Sequence, residues 1–201
     1  MATLASGNAA TVVLVLIFTI ISSFPAAVDA DAKFIAKVCK NIEEGNGHCV
    51  EVLSTDRRSF NATTFQELAS ISLDIATSTR REVAQGIDDE ASKHDERSPL
   101  GEALTDCADY YGQAEQPLEN ARKSFDDGAF GAAMKEAGEA EDAADNCEQA
   151  FSDRELTSRV AALDDRMKQR CDVASLLMDL LFTTLKSRRF LQDVISLSHP
   201  V

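Results

Sequence analysis

The 201-residue sequence has no tryptophan, two tyrosines and three histidines. His48, His94 and His199 are scattered, with no pair at helical ligand spacing, so a histidine-based metal site has no framework. No Cys-x-x-Cys, His-Glu-x-x-His, Gly-x-Ser-x-Gly or phosphate-cradling glycine loop occurs, and no histidine stands beside a candidate nucleophile. Catalytic, cofactor and metal sites are therefore not expected. Basic residues are also scarce, 20 Lys and Arg against 34 Asp and Glu, for a net charge of −14. That balance disfavours nucleic acid as a partner and suits a basic protein.

Long hydrophobic runs are missing too. Ala10 to Ile21, ATVVLVLIFTII, has no charge but is too short for a bilayer, which needs about 20 apolar residues. No Lys or Arg precedes it, leaving the amino terminus as the only positive charge there. Small residues follow, and Val28-Asp29-Ala30 fits a small-x-small cleavage pattern. The expectation is a secretory signal peptide over residues 1–30, rather than a signal anchor, and a secreted chain without membrane contact once it is removed. Residues 31–201 then suffice for one domain with its own core. Asp29 is the leader's sole charged residue, so this portion keeps 20 basic and 33 acidic side chains.

Five cysteines remain: Cys39, Cys49, Cys107, Cys147 and Cys171. On an oxidising route paired cysteines become disulfides. An odd number leaves one thiol either free or bonded to another chain, so monomer and dimer both stay open. Asn61-Ala62-Thr63 is an N-glycosylation sequon, which in a secreted protein marks a surface position.

Apolar spacing is helical. Leu100, Leu104, Cys107, Tyr111, Ala114, Leu118, Ala121 and Phe125 alternate steps of four and three, as one face of one helix does. Pro117 falls inside this helix and should bend it, since it removes a donor and crowds the preceding turn. After Asp126-Asp127-Gly128, where glycine accepts the angles of a helix stop, Phe130, Ala133, Ala137, Ala140, Ala144, Cys147 and Phe151 repeat the rhythm. Upstream, Thr64-Phe65-Gln66-Glu67 reads as a capping box opening a helix with Phe65, Leu68, Ile71, Ile75, Ala76 and Val83. Gly86 and the polar run to Ser98-Pro99 should end it, placing Glu90 and His94 in a surface loop. A last helix is marked by Leu156, Val160, Leu163, Met167, Ala174, Leu177 and Leu181, with Arg170 in a core slot beside Cys171.

Counting predicts the cross-links. Cys107 and Cys147 each lie 20 residues from Asp127 and stand level in an antiparallel hairpin turning there. Cys39 and Cys49 are symmetric about Glu44, beside the turn signal Gly45-Asn46-Gly47. The two bonds should contribute about 4 and about 3 kcal/mol through loop closure. Cys171 is the spare. The expected fold is all-α: an up-and-down four-helix bundle over 63–195 behind a short stapled helical hairpin over 32–56, which either packs on the bundle or projects from it.

Three features invite chemistry and read better as structure. Glu136, Glu139, Glu141, Asp142 and Asp145 lack the histidines of a di-iron bundle and suit a solvated outer face. Glu90 and His94 read as a surface pair. Cys171 beside Arg170 would be a lowered-pKa thiol if exposed, or a half-buried free cysteine at a core edge.

The layout resembles the plant invertase and pectin methylesterase inhibitor family. The residues that carry the likeness are Cys39-Lys40-Asn41, Cys49 followed by Leu53, Ser54, Asp56, Arg57, Arg58 and Ser59, Ala103-Leu104-Thr105-Asp106-Cys107 with Tyr110 or Tyr111, and Asn146-Cys147-Glu148. The segment between Cys39 and Cys49 departs from the family's usual threonine, aromatic and proline. The resemblance implies a secreted protein inhibitor of a cell-wall enzyme, pectin methylesterase or invertase, acting in the apoplast by covering the substrate cleft. Invertase inhibitors of the family carry Pro-Lys-Phe entering the third helix. Here the matching positions are Gly128, Ala129 and Phe130, and only the phenylalanine is kept. These three are the candidate target contact, although Phe130 also fits the buried stripe of its helix. Two other readings remain: a helical carrier of a small apolar ligand, and a structural or pollen protein of the same fold without an enzyme target.

Overall fold

The computed structural model describes the backbone of residues 26–42 and 47–198, and side chains over 32–42 and 47–187. Most of the expected signal peptide, including its apolar run, lies outside the described residues, as do Glu43, Glu44, Gly45, Asn46 and His199. Among the described residues the elements are α1 (Ala26–Lys40), α2 (Cys49–Ser54), a 3₁₀ turn (Arg57–Asn61), α3 (Phe65–Ala91), α4 (Pro99–Gln113), α5 (Glu115–Asp126), α6 (Phe130–Ser152) and α7 (Ala161–Ser198). No strand occurs among them. The expected boundary after Ala30 falls inside α1, so cleavage there would remove that helix's first five residues.

The capping box forms as read. Thr64 Oγ1 accepts from the Glu67 N–H at 3.2 Å, and Glu67 Oε2 accepts from the Thr64 N–H at 3.0 Å and the Thr63 N–H at 2.6 Å. Those bonds hold the Glu67 carboxyl below the usual carboxylate range. Gly86 does not stop α3, which runs to Ala91 and carries Glu90 in its last turn. The glycine serves a close approach instead: a Cβ there would stand 2.8 Å from Leu163 Cδ1 on α7. The single bent helix expected over 100–125 is two segments meeting at Ala114. Pro117 lies in the first turn of α5, where its missing N–H falls among the donors a helix start leaves unbonded anyway. Leu156 precedes α7 rather than lying on it. The core slot beside Arg170 is filled by Cys171, fully buried, while the arginine is only partly buried.

The bundle closes as α3, the α4–α5 pair, α6 and α7, each packed on two neighbours. Ala133, Ala137, Ala140 and Ala144 of α6 have no exposed surface, which lets the backbones on either side approach closely. The Cys107–Cys147 bond joins α4 to α6 at a Cα separation of 4.5 Å, and the Cys39–Cys49 bond joins α1 to α2 at 5.6 Å. Both pairings are those that counting from the turns predicts.

The hairpin packs on the bundle. Val52 and Leu53 of α2 are fully buried, and α2 lies against α3 and α7, while α1 rests on α2 and the 3₁₀ turn. A charged chain fastens the turn. Arg58 bonds Asp56 at 2.7 Å and Asp74 of α3 at 2.9 Å, and Arg122 of α5 contacts Asp74 and bonds the Ser70 carbonyl at 2.9 Å. The Arg58 guanidinium holds the Asp56 carboxyl below its ordinary value. Single exposed pairs contribute little, but a shared carboxylate fixing two arginines orders three elements at once.

Candidate functional site

The turn between α5 and α6 positions the predicted contact residues. Gly128 adopts a left-handed φ of 73°, with its N–H on the Phe125 carbonyl at 3.0 Å and the Ala129 N–H on Ser124 at 2.8 Å. These bonds satisfy the last carbonyls of α5, and glycine takes the required angle without a Cβ penalty. Gly128 and Ala129 are exposed; Phe130 is 6% exposed. Its ring meets Phe125 edge-on, centroids 5.3 Å apart, and the Arg122 guanidinium lies 5.5 Å from the Phe125 centroid. Phe130 therefore belongs mainly to the core.

Beside this turn is a shallow groove of about 480 Å³ lined by residues 128–132 with Phe182, Leu185 and Lys186 of α7. Phe182 is 41% exposed. Its ring lies close to the α6 backbone because residue 131 is glycine: a Cβ there would sit 3.2 Å from Phe182 Cε2. Lys186 Nζ stands 6.0 Å from the ring centroid, within reach of its π-face. Thus the exposed aromatic side chain at this end is Phe182 rather than Phe130. The sequence does carry a signal for it: an aromatic residue one position off the stripe of Leu177 and Leu181.

The other sequence candidates do not converge here. Glu139, Asp142 and Asp145 are exposed, with Glu139 held by Lys135 and Asp145 by Lys168. Glu136 and Glu141 are half-buried, and burial followed by nearby Asp172 and Asp145 raises the Glu141 carboxyl. Glu90 meets Lys93 at 2.7 Å and His94 at 3.3 Å, which lowers its carboxyl from the ordinary value. Among the described residues no group of three or more His, Cys, Asp or Glu is arranged to hold a metal ion. No described helix is long and apolar enough to cross a membrane. Cys171 has no disulfide partner and no exposed surface, and burial pushes its thiol pKa up, the opposite of an activated thiol. Asn61 is exposed on the 3₁₀ turn.

The family model described as plant invertase/pectin methylesterase inhibitor matches residues 33–177. The chain belongs to this family. Among solved structures, a mutant form of a pectin methylesterase inhibitor from Arabidopsis is 19% identical with a TM-score of 0.60, covering 71% of this chain and 95% of its own. A second, a pectin methylesterase inhibitor from Arabidopsis thaliana, is 21% identical with a TM-score of 0.54, covering 75% and 97%. At that identity the two structures establish the shared fold. A comparison with curated proteins finds no match. The family match ends at Leu177, so Phe182 and Lys186 lie beyond it on the same helix.

Proposed function

We propose that the protein is a secreted inhibitor that covers the substrate cleft of a plant cell-wall enzyme, pectin methylesterase or invertase, in a reversible one-to-one complex in the apoplast. The observation that carries this reading is family membership across residues 33–177, which contain both disulfides and most of the bundle. A stapled bundle loses little conformational freedom on binding, so contact energy goes into affinity. The acidic balance of the chain suits a basic partner and would speed encounter with one. Gly128 and Ala129 in place of the invertase inhibitors' Pro-Lys weaken the case for invertase as the target. The carrier reading gains nothing from the bundle interior, where the α6 alanines are packed shut.

Purified protein mixed at acidic pH with pectin methylesterase and, separately, with invertase is expected to suppress the activity of at least one. Full activity of both would remove the proposal. The buried position of Cys171 favours a monomer, because an intermolecular bond there would require opening the core. Asn61 should carry a glycan when the chain passes through a eukaryotic secretory route. Intact-mass measurement of wild type and N61Q is expected to differ by one glycan; equal masses, allowing for the substitution, would show the sequon unused.

A further inference from the structure

Three bundle helices meet at a buried polar cluster. Tyr111 of α4 donates its hydroxyl hydrogen to Asp164 Oδ1 of α7 at 2.6 Å; Tyr111 has no exposed surface and Asp164 has 1%. The second Asp164 oxygen, Oδ2, and Glu148 Oε1 of α6 are both fully buried and receive no hydrogen bond from any donor among the described residues. The two carboxyls lie within hydrogen-bonding reach of each other. If both were ionised, two acceptors would face each other without a donor, with like charges in a low-dielectric site. One proton between them satisfies both atoms and removes the repulsion.

We propose that Glu148 and Asp164 share one proton in the folded protein, forming a pH-sensitive latch that ties α7 to the disulfide-joined α4–α6 pair and loosens when that proton leaves. The surroundings favour the shared state. From α4 comes the Tyr111 hydroxyl, whose pKa burial and Asp164 raise further, so it stays a neutral donor. From α6 come Glu148 itself and Asp145, the latter engaged with Lys168. From α7 come Lys168, a cation that acts on Asp164, and Cys171, a buried neutral thiol. From α3, Glu82 is paired with Arg166 of α7 at 3.7 Å. Burial first, and then the bond to Glu148, push the Asp164 carboxyl up to about 8 from an ordinary 3.8, against the lowering pull of Tyr111 and Lys168. The sign follows. Between those two values the folded chain holds a proton that the unfolded chain has released, so stability falls as pH rises through that window and its contribution is gone above the upper value.

Thermal unfolding and infrared spectroscopy of the intact protein test the latch. Raising the buffer from about pH 5 to about pH 8.5 is expected to lower the wild-type midpoint by about 5 to 10 °C. D164N keeps the oxygen that Tyr111 needs and offers Glu148 an amide donor; E148Q offers Asp164 the same. Both should flatten the pH dependence. Near neutral pH the infrared spectrum of the wild type should contain a protonated carboxyl band that fades on further alkalinisation and is missing from both variants. An equal slope in wild type and both variants overturns the latch. If neither variant folds, absence of that band from the wild type overturns it, and its presence with loss on alkalinisation supports it. None of these readouts depends on which enzyme is bound.

Discussion

Replacing Cys107 and Cys147 together by alanine is expected to lower the unfolding free energy by about 4 kcal/mol, or the midpoint by on the order of 10 °C. The bond closes a loop with a sequence separation of 40 and joins α4 to α6 inside the bundle, where both cysteines are fully buried. Without it the unfolded chain regains that loop entropy, and α6 loses a covalent tie that holds its alanine face against its neighbours. The Cys39–Cys49 loop is shorter, with a separation of 10, and its pair of alanines should cost about 3 kcal/mol on the same account. The two losses should also differ in kind. The hairpin reaches the bundle chiefly through α2, so opening it is a local event. Hydrogen exchange would accelerate in α1 and α2 while the bundle stays protected. Denaturant unfolding under non-reducing conditions measures the first effect; a change below about 1 kcal/mol for the Cys107 and Cys147 pair would show that packing alone carries the fold.

The parts of this fold legible from sequence are those dictated locally. The Thr64 to Glu67 cap, the step of three and four along α4, α5 and α6, and the symmetry of cysteines about Asp127 each need only short-range geometry. Gly86 was not legible, because its reason is Leu163, distant in sequence and adjacent across a helix interface. A glycine that ends a helix and one that admits a neighbour look alike until that neighbour is placed. Leu156 keeps the helical spacing yet lies in the loop before α7, one residue after Glu155, which takes a positive φ of 55°. The Glu148–Asp164 pair was hidden for a related reason: nothing in the spacing of two acidic residues says that their carboxyls turn inward and meet. At the candidate contact, sequence located the turn at Gly128, but dividing core from surface between two phenylalanines needed α7 in place.

That division makes separable predictions for Phe130 and Phe182. F130A should destabilise the protein by about 3 to 5 kcal/mol, because a nearly buried ring leaves a cavity beneath α6 and Phe125 loses its edge-on partner. Wherever the variant remains folded, its inhibition of the target should stay close to wild type. F182A should behave in the opposite way. With 41% of its surface already in solvent, the ring contributes less to the core, and stability should change by about 1 kcal/mol or less. If the target docks at this end of the bundle, as the position of Gly128 to Phe130 suggests, the exposed ring beside Lys186 is the apolar anchor. Its truncation should then weaken inhibition by about 30-fold, the scale of an interface hot spot. Inhibition constants and denaturant midpoints measured on the same preparations separate the two roles. Unchanged inhibition by F182A would move the contact surface away from this groove, and a stable F130A that no longer inhibits would return it to the residue the sequence first indicated.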